Sequence, residues 1–324
     1  MIMTESKKKV ANTDFAEHVA CGLAAYPKKV SSRYFYDDRG DKLFQQIMNM
    51  PEYYLTDSEL EIFQNQKEDI LSAINGKPFD LIELGAGDGT KTMVLLRHFL
   101  EAGSKFKYRP VDISKHVLKV LEGKLSKQLP GLEVASLPGE YFEVLRQLDA
   151  ASSTKPKVVF FLGANIGNFR PAEGKRFLKQ LRDLLQPGDQ LLIGFDLKKD
   201  PAVILNAYND STGITAAFNL NLLHRINDEL GGNFQVDQFK HWETYNPLTG
   251  ETKSYIVSKK EQKVEIEALD QTFHFKAWEA IDVELSLKYD RQQVAEMAAE
   301  TGFTVKAEFL DQKQYFVDSL WEVE

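Results

Sequence analysis

The stretch FDLIELGAGDGTKT, residues 79–92, decides the fold of this chain. It opens with a short apolar run that carries the acid Glu83, which is the pattern of a buried strand. Glycines then occupy alternate positions, Gly85, Gly87 and Gly89, before a helical pattern begins. Glycine admits positive φ and lets a ligand approach the backbone, and the amides of the first helical turn are free to bind it. The stretch therefore predicts a strand, a tight turn and a helix arranged around a ligand.

A second predicted strand indicates what that ligand contains. Residues 106–111 read FKYRPV and lead into Asp112, after which Ser114 is placed to cap a helix that runs to about residue 125. A carboxylate at the end of the second strand can accept hydrogen bonds from both hydroxyl groups of a ribose. An NAD site and an S-adenosylmethionine (SAM) site both meet this requirement, whereas a joint without a ligand would need only a capping aspartate.

The order of the residues favours SAM. An acid followed by Gly-x-Gly-x-Gly resembles motif I of the Rossmann-like SAM methyltransferases. The dinucleotide fingerprint G-x-G-x-x-G instead has its third glycine one residue later, where it meets a pyrophosphate. SAM carries a cationic sulfonium and an amino acid tail in place of two phosphates, which suits an acid such as Glu83 beside the turn. We therefore predict SAM as the cofactor.

Composition argues against several other classes of function. The 324 residues include 48 acidic and 40 basic residues, and the resulting net charge of −8 disfavours nucleic acid as a partner. Cys21 is the sole cysteine, so no internal disulfide can form and a reducing cytoplasm is expected. No apolar run is long enough to span a membrane, residues 1–13 lack the apolar stretch typical of a secretory signal, and the six histidines lack metal-ligand spacing. We expect a cytoplasmic monomer with no membrane partner and no metal site.

The pattern of the chain changes after residue 196. Before it, helical patterns separate the apolar segments FDLIEL, FKYRPV, LEVASL, KVVFFLG and QLLIGFD, which predicts a parallel sheet covered by helices. Beyond it, Asp200-Pro201 and ITAAFNLNLLHRINDEL indicate two helices, and residues 234–288 have the pattern of antiparallel strands. A final helix over residues 290–301 and the strands FTVKAEF and QYFVDSLWEV are expected to complete the first sheet.

The region before residue 79 is predicted to be structured as well. An amphipathic helix is expected around residues 40–49. Thr56 and Glu59 have the spacing of a capping box and predict the start of the next helix. Tyr53 and Tyr54 would then lie in the connecting loop.

A resemblance to a known family covers nearly the whole chain, from about Ser31 to its C-terminal end. It is carried by the pieces SSRYFYDDRG, PEYYLT, ELGAGDGTKT, FFLGANIGNF, FDLKKD, AYND and ITAAFNLNLLHRIN. These resemble the ergothioneine-pathway histidine Nα-methyltransferases and the related fungal tryptophan-derivative N-methyltransferases. The resemblance implies a SAM-dependent enzyme that methylates the α-amino group of a free amino acid. In the histidine enzymes three methylations give N,N,N-trimethylhistidine (hercynine).

The same resemblance implies the domain organisation. The fold is expected to be α/β, in which a Rossmann-like class I SAM methyltransferase sheet carries an inserted α+β substrate-binding domain. We predict that residues 1–60 and 197–286 form the substrate-binding domain. Residues 61–196 would bind SAM, and residues 287–324 would complete the Rossmann-like sheet.

Matching motifs imply the contacts to the substrate. Asn168 of GNF and Tyr208 of AYND would hold the α-carboxylate through neutral donors. Tyr53 of EYY would face the substrate side chain. Glu284 and Ser286 of an E-x-S element would contact the imidazole, because alternate residues of a strand share a face.

The contacts to the cofactor are predicted partly from the residue pattern and partly from the family resemblance. The glycine turn contributes Glu83, Gly87 and Gly89, and the resemblance implies Tyr36, Gly85, Lys91, Asp112, Glu140 and Tyr141. Methyl transfer from a sulfonium requires alignment in a dry site. An α-amino group has a pKa near ~8 and is partly neutral in the cytosol, so no strong base is needed. We therefore assign no catalytic side chain.

Two positions depart from the histidine enzymes, which have methionine where this chain has Ser254 and glycine where it has Trp278. Ser254 would enlarge or polarise the side-chain pocket, unless it lies on the surface of an edge strand. Trp278 would either cover the binding pocket or simply pack against its neighbours. Two alternatives follow: the same chemistry on another amino acid, such as tryptophan or a derivative, and a non-catalytic SAM-binding module. The retained Glu284 and Ser286 favour histidine.

Overall fold

The computed structural model describes residues 13–74, 77–113, 115–150 and 155–324. The predicted helix cap at Ser114 lies outside them. The chain divides into two compact units. The first unit comprises Met1–Tyr54 and Asp200–Ser286, and the second comprises Leu55–Lys199 and Leu287–Glu324.

The α-helices are numbered in chain order. Those of the described residues are α1 (Thr13–Ala24), α2 (Asp38–Met48), α3 (Tyr54–Ala73), α4 (Thr92–Glu101), α5 (Lys115–Gln128), α6 (Tyr141–Ala150), α7 (Pro171–Arg182), α8 (Pro201–Tyr208), α9 (Ile214–Leu230) and α10 (Arg291–Thr301). Short 3-10 helices span Ser32–Phe35, Asn165–Asn168, Val236–Gln238 and Glu267–Leu269. Within the described ranges, no helix has the length and apolar character needed to cross a bilayer.

The β-strands are numbered in the same way. They are β1 (Lys28–Lys29), β2 (Phe79–Leu84), β3 (Phe106–Asp112), β4 (Glu133–Val134), β5 (Leu137–Pro138), β6 (Lys157–Phe161), β7 (Gln190–Asp196), β8 (Phe239–Asn246), β9 (Glu251–Ser258), β10 (Gln262–Ile266), β11 (Gln271–Phe275), β12 (Ala280–Leu287), β13 (Phe303–Leu310) and β14 (Phe316–Val323).

The second unit contains the predicted α/β sheet. Its strand order is β13-β14-β7-β6-β2-β3-β4, and β5 also pairs with β3. Strands β2, β3, β6 and β7 run parallel, whereas β14 runs antiparallel to β7 and β13 antiparallel to β14. The predicted fold class is confirmed, including the return of the last two strands to the first sheet.

Strand β2 lies between β3 and β6, and all six of its residues are buried. A parallel strand covered on both faces needs a continuous apolar run, which explains why FDLIEL was recognisable. The segment LEVASL was predicted as one strand, and this was wrong because it forms β4 and β5 with a break between them. The break faces Pro110 of β3, whose nitrogen carries no hydrogen to donate across the ladder.

The first unit is built around a sheet with the order β1-β12-β9-β8, and β10 and β11 form a separate antiparallel pair. Helix α9 packs against β8 and β9, and its apolar side chains share one core with α1 and the sheet. The helix ends at Gly231, whose φ of 65° is left-handed, as the Gly-Gly signal predicts. The antiparallel strands of residues 234–288 are confirmed, and the short parallel strand β1 was not foreseen.

The start of α3 corrects one prediction. The helix begins at Tyr54, two residues before Thr56, so Thr56 and Glu59 do not form its capping box. Tyr54 is therefore helical rather than part of a loop. The carboxylate of Glu59 instead accepts the backbone N–H of Gly163 at 2.7 Å. The Glu59 side chain, which the local pattern assigned to a helix cap, thus binds a residue that is distant in sequence.

Asp210 supports the start of α9 and gives a prediction on stability. Its carboxylate accepts the N–H groups of Ile214 at 2.9 Å and Thr215 at 2.8 Å, which lack partners within the helix. Burial alone would raise its pKa, but hydrogen bonds, first from Thr212 and then from these amides, lower the pKa of Asp210 to about 2.

We expect Asp210→Ala to lower the free energy of unfolding at neutral pH by about 1–2 kcal/mol, as for the loss of a helix cap. Because the folded pKa is depressed, this contribution is present above the unfolded value near 3.8 and is lost as the pH falls towards about 2. Urea unfolding at neutral and acidic pH measures both effects. Asp228→Ala, an exposed acid on the same helix, is the control, and equal losses in the two variants would contradict the assignment.

Candidate functional site

The glycine turn after β2 has the backbone conformation that the sequence requires. Gly85, Gly87 and Gly89 have φ values of 72°, 53° and 64°, all left-handed. A Cβ atom built on Gly85 would lie 2.8 Å from the Tyr141 hydroxyl, whereas nothing lies within 4 Å of one built on Gly87. Gly85 therefore makes room for Tyr141, and Gly87 leaves its backbone open to a ligand.

The ends of β3 and β5 bring three further predicted residues to this turn. Asp112 ends β3, and its carbonyl accepts the N–H of Gly139 at 3.1 Å. Glu140 and Tyr141 follow directly, at the start of α6. Burial, then the charges of Asp112 and Glu140, raise the pKa of Tyr141 to about 12. Gly85, Asp112, Glu140 and Tyr141 therefore lie together at the carboxyl edge of the sheet.

The loop after β6 (residues 162–170) also reaches the turn, through Asn165, a residue of the predicted polar loop to which no contact was assigned from the sequence. The side-chain Nδ2 of Asn165 lies 3.7 Å from a Cβ atom built on Gly85. Asn168, the predicted substrate contact, ends the same 3-10 helix and is exposed. The signal for Asn165 was present, because it precedes Asn168 in the same polar loop at the end of a strand.

Glu83 is held by internal partners. It is only 4% exposed, and its carboxylate accepts hydrogen bonds from the Thr92 hydroxyl at 2.6 Å and from the Tyr108 hydroxyl. Burial raises the pKa of Glu83 to about 7, although both hydrogen bonds act in the opposite direction. A contact between Glu83 and the cofactor stays a prediction, as do the other cofactor contacts.

Lys91 immediately precedes α4 and forms an ion pair with the buried carboxylate of Glu59. Burial alone would lower the pKa of Lys91, but the charge of Glu59, its hydrogen bond and the neighbouring acids together raise it. Lys91 is therefore a cation two residues after Gly89, the last glycine of the turn. Its Nζ lies 3.6 Å from a Cβ built on Gly163, which places it at the β6 loop as well.

In the first unit, two hydrogen bonds join predicted substrate contacts. The buried Tyr208 donates its hydroxyl proton to Oγ of Ser286 at 2.9 Å. Ser254 donates to Oε2 of Glu284 at 2.8 Å and is 0% exposed, so it is not a surface residue of an edge strand. Trp278, by contrast, is 68% exposed. The sequence difference at Ser254 therefore acts directly on Glu284.

Two predicted tyrosines lie in the aromatic part of the first unit. Tyr36 packs its ring against Phe44 and Phe218, with centroids 5.5 Å and 5.4 Å away, and remains 46% exposed. Desolvation of the phenol and then the charge of Glu284 raise the pKa of Tyr36. Tyr53 contacts the other side of this group, 6.4 Å from Phe44. Tyr36 was predicted to contact the cofactor, and within its own unit it lies near Glu284.

Strand β8 adds two polar residues that the sequence analysis missed. The His241 side chain is 3% exposed, and its Nε2 lies 2.9 Å from the carbonyl of Tyr208. Burial lowers the pKa of His241, so the ring is neutral and donates from Nε2. Glu243 stands opposite Ser254 in the strand register, and burial raises its pKa. The alternation of His241 and Glu243 along one strand was the available signal.

The predicted substrate contacts are divided between the units. Tyr53, Tyr208, Glu284 and Ser286 belong to the first unit, and Asn168 belongs to the second. Among the described residues no group of three or more His, Cys, Asp or Glu side chains is placed to hold a metal ion.

Comparisons with known proteins agree on one family. The family described as "Histidine-specific methyltransferase, SAM-dependent" matches residues 15–323 of this chain. The histidine N-alpha-methyltransferase of Mycolicibacterium smegmatis is 36% identical over 284 residues, which cover 88% of this chain and 87% of that protein. That of Mycobacterium tuberculosis is 36% identical, with coverages of 87% and 86%. Ergothioneine biosynthesis protein 1 of Neurospora crassa is 29% identical over 89% of this chain and 32% of its own length.

The buried carboxyl group of Glu83 gives a prediction on pH. An acid whose pKa is raised in the folded state, here from 4.5 to about 7, stabilises the fold below the unfolded pKa. This contribution is lost as the pH rises through the folded value. Between about pH 5.5 and about pH 8 the loss is on the order of 2 kcal/mol.

We expect Glu83→Gln to remove that part of the pH dependence, because the amide does not ionise. Urea unfolding of the wild type and the variant at both pH values measures it. Glu122→Gln, at an exposed position on α5, should retain the wild-type slope. A Glu83→Gln protein with the wild-type slope would show that Glu83 ionises normally.

Proposed function

We propose that this chain, which belongs to the family of histidine-specific, SAM-dependent methyltransferases, methylates the α-amino group of free L-histidine. The similar mycobacterial proteins are named for methylation at this nitrogen, and their similarity extends over most of both chains. The structural observation that carries the choice of histidine is the Glu284 carboxylate, oriented by Ser254 and lying near Tyr36. A carboxylate is a suitable acceptor for an imidazole N–H.

The second unit has the features that SAM requires. Its glycine turn leaves the backbone open at Gly87, and Asp112 offers a carboxylate to the ribose hydroxyls at the end of β3. We assign to SAM the contacts Tyr36, Glu83, Gly85, Gly87, Gly89, Lys91, Asp112, Glu140 and Tyr141. When bound, SAM supplies an electrophilic methyl group on a sulfonium.

The protein's part in the reaction is alignment. An α-amino group has a reference pKa near ~8, so a useful fraction is neutral and nucleophilic without a general base. We assign the substrate carboxylate to Asn168 and Tyr208, whose neutral groups add no cation beside the sulfonium. Fixing the carboxylate fixes the amine that is bonded to the same carbon, which reduces the entropy lost on reaching the transition state.

The substrate side chain is assigned to the polar face of the first unit. Glu284 would accept an imidazole N–H, Ser286 would complete the contact, and Tyr53 would line the pocket. We assign most of the substrate contacts to the first unit and most of the SAM contacts to the second, with Asn168 of the second unit and Tyr36 of the first as the exceptions. We further propose that the protein is a cytoplasmic monomer and that three successive transfers give N,N,N-trimethylhistidine, each round releasing one proton to solvent.

Incubation with SAM and single amino acids tests the proposal. With L-histidine we expect mass spectrometry to show products that carry one, two and finally three added methyl groups. L-Tryptophan and L-phenylalanine should give little or no product. Methylation of tryptophan in preference to histidine would support the alternative substrate. Binding of S-adenosylhomocysteine without methylation of any amino acid would support a non-catalytic module.

The carboxylate assignment is tested by Tyr208→Phe and Asn168→Ala. Each removes a donor worth about 1–1.5 kcal/mol, so we expect the KM for histidine to rise about tenfold. The KM for SAM should change much less. Tyr289→Phe is a matched control, because the Tyr289 hydroxyl is buried without a hydrogen-bond partner in the described part of the chain. If neither test variant alters the KM for histidine, both residues are excluded from the carboxylate site.

A further inference from the structure

A buried carboxylate that the proposed mechanism does not use joins two loops of the second unit. Glu59 lies on α3 and is 0% exposed. One of its oxygens accepts the N–H of Gly163 at 2.7 Å, and the other is paired with the ammonium of Lys91. The Glu59 carboxylate therefore holds one group from each of two separate segments.

Both segments belong to the candidate cofactor site. Gly163 is at the start of the β6 loop, which places Asn165 beside Gly85. Lys91 immediately precedes α4, directly after the glycine turn. One carboxylate thus links the backbone of the β6 loop at Gly163 to the side chain of Lys91.

The sheet is shaped around this carboxylate. A Cβ atom built on Gly194 of β7 would lie only 2.8 Å from Oε1 of Glu59. Any side chain larger than hydrogen at Gly194 would therefore collide with the group that holds Gly163. The sheet therefore packs closely against this carboxylate, which leaves it little room to move towards β7.

A second buried acid, Asp318, adjoins the pair. Asp318 of β14 is 0% exposed, and no donor within the described ranges reaches either of its oxygens. Burial, and then the negative charge of Glu59, raise the pKa of Asp318 well above its ordinary value. The raised pKa favours the protonated form of Asp318 beside the Glu59–Lys91 pair.

We propose that Glu59 is a positioning residue for the cofactor, which orients Lys91 and the β6 loop by binding the Lys91 ammonium and the Gly163 amide together. The inference rests on the proposed function, because it assumes that Lys91 and the β6 loop face SAM.

Glu59→Gln is the principal test, made in the full-length protein. Glutamine keeps an oxygen for Gly163 but removes the charge that holds Lys91. We expect the affinity for S-adenosylhomocysteine, measured by calorimetry without an amino acid, to fall about tenfold. The KM for SAM should rise, with a smaller change in the KM for histidine.

Asp318→Asn is the matched control, because asparagine has the shape and neutrality of the protonated acid. We expect its affinity for S-adenosylhomocysteine to stay within about twofold of the wild type. An Asp318→Asn protein as impaired as Glu59→Gln would overturn the assignment of Asp318 as a neutral partner.

Lys91→Met separates positioning from general destabilisation. If Glu59 acts through Lys91, Glu59→Gln should cause no further loss of affinity in the Lys91→Met background. This double variant has no unpaired charge at the pair, so the comparison also decides the matter if Glu59→Gln alone does not fold. A further tenfold loss in that background, or a lower Tm with unchanged affinity in Glu59→Gln, would refute the inference. A wild type that does not bind S-adenosylhomocysteine would instead refute the proposed function.

Discussion

The glycine turn at the carboxyl edge of the α/β sheet depends on the hydrogen bonds to the Glu83 carboxylate. Its two oxygens accept protons from Thr92, the first residue of α4, and from Tyr108 of β3. The residue itself belongs to β2, so one buried acid connects the elements on both sides of the glycine turn. Burying a carboxylate without donors would be far more costly, which explains why both donors are hydroxyl groups directed at it. The turn is consequently fixed at both ends.

In the second unit, the cost of burying the carboxylates of Glu83 and Glu59 is compensated by different partners. Glu83 has hydroxyl donors, and its pKa rises to about 7 because hydroxyl groups compensate burial only in part. Glu59 has the ammonium of Lys91, whose own pKa is raised by the pairing. Removing one partner of a buried ion pair leaves an uncompensated charge, whereas a hydroxyl-bound acid can simply take up a proton. The loop positions that depend on Glu59 are therefore less tolerant of substitution than those that depend on Glu83.

Periodicity was sufficient to predict most of the second unit, because its main parallel strands are predominantly apolar segments that alternate with helices. It failed where a local pattern competed with a distant partner. Thr56 and Glu59 have the spacing of a helix cap, yet Glu59 binds Gly163, more than a hundred residues away. Pro110 interrupts the ladder that LEVASL would have continued. The substrate contacts came from family resemblance, and His241 and Glu243 were missed because polar residues on a strand are normally assigned to solvent.

The polar face of the first unit bears on the choice between histidine and tryptophan. Glu284 accepts a hydrogen bond from Ser254, and two lysines of the same sheet pair with other acids, Lys253 with Asp282 and Lys28 with Glu279. An imidazole can offer Glu284 an N–H and still present a second polar nitrogen to its surroundings. An indole has one N–H on a large apolar ring, which would cover the remaining polar groups without bonding to them. Because unpaired buried polar groups are costly, the proposed contact between Glu284 and the substrate side chain would favour an imidazole over an indole.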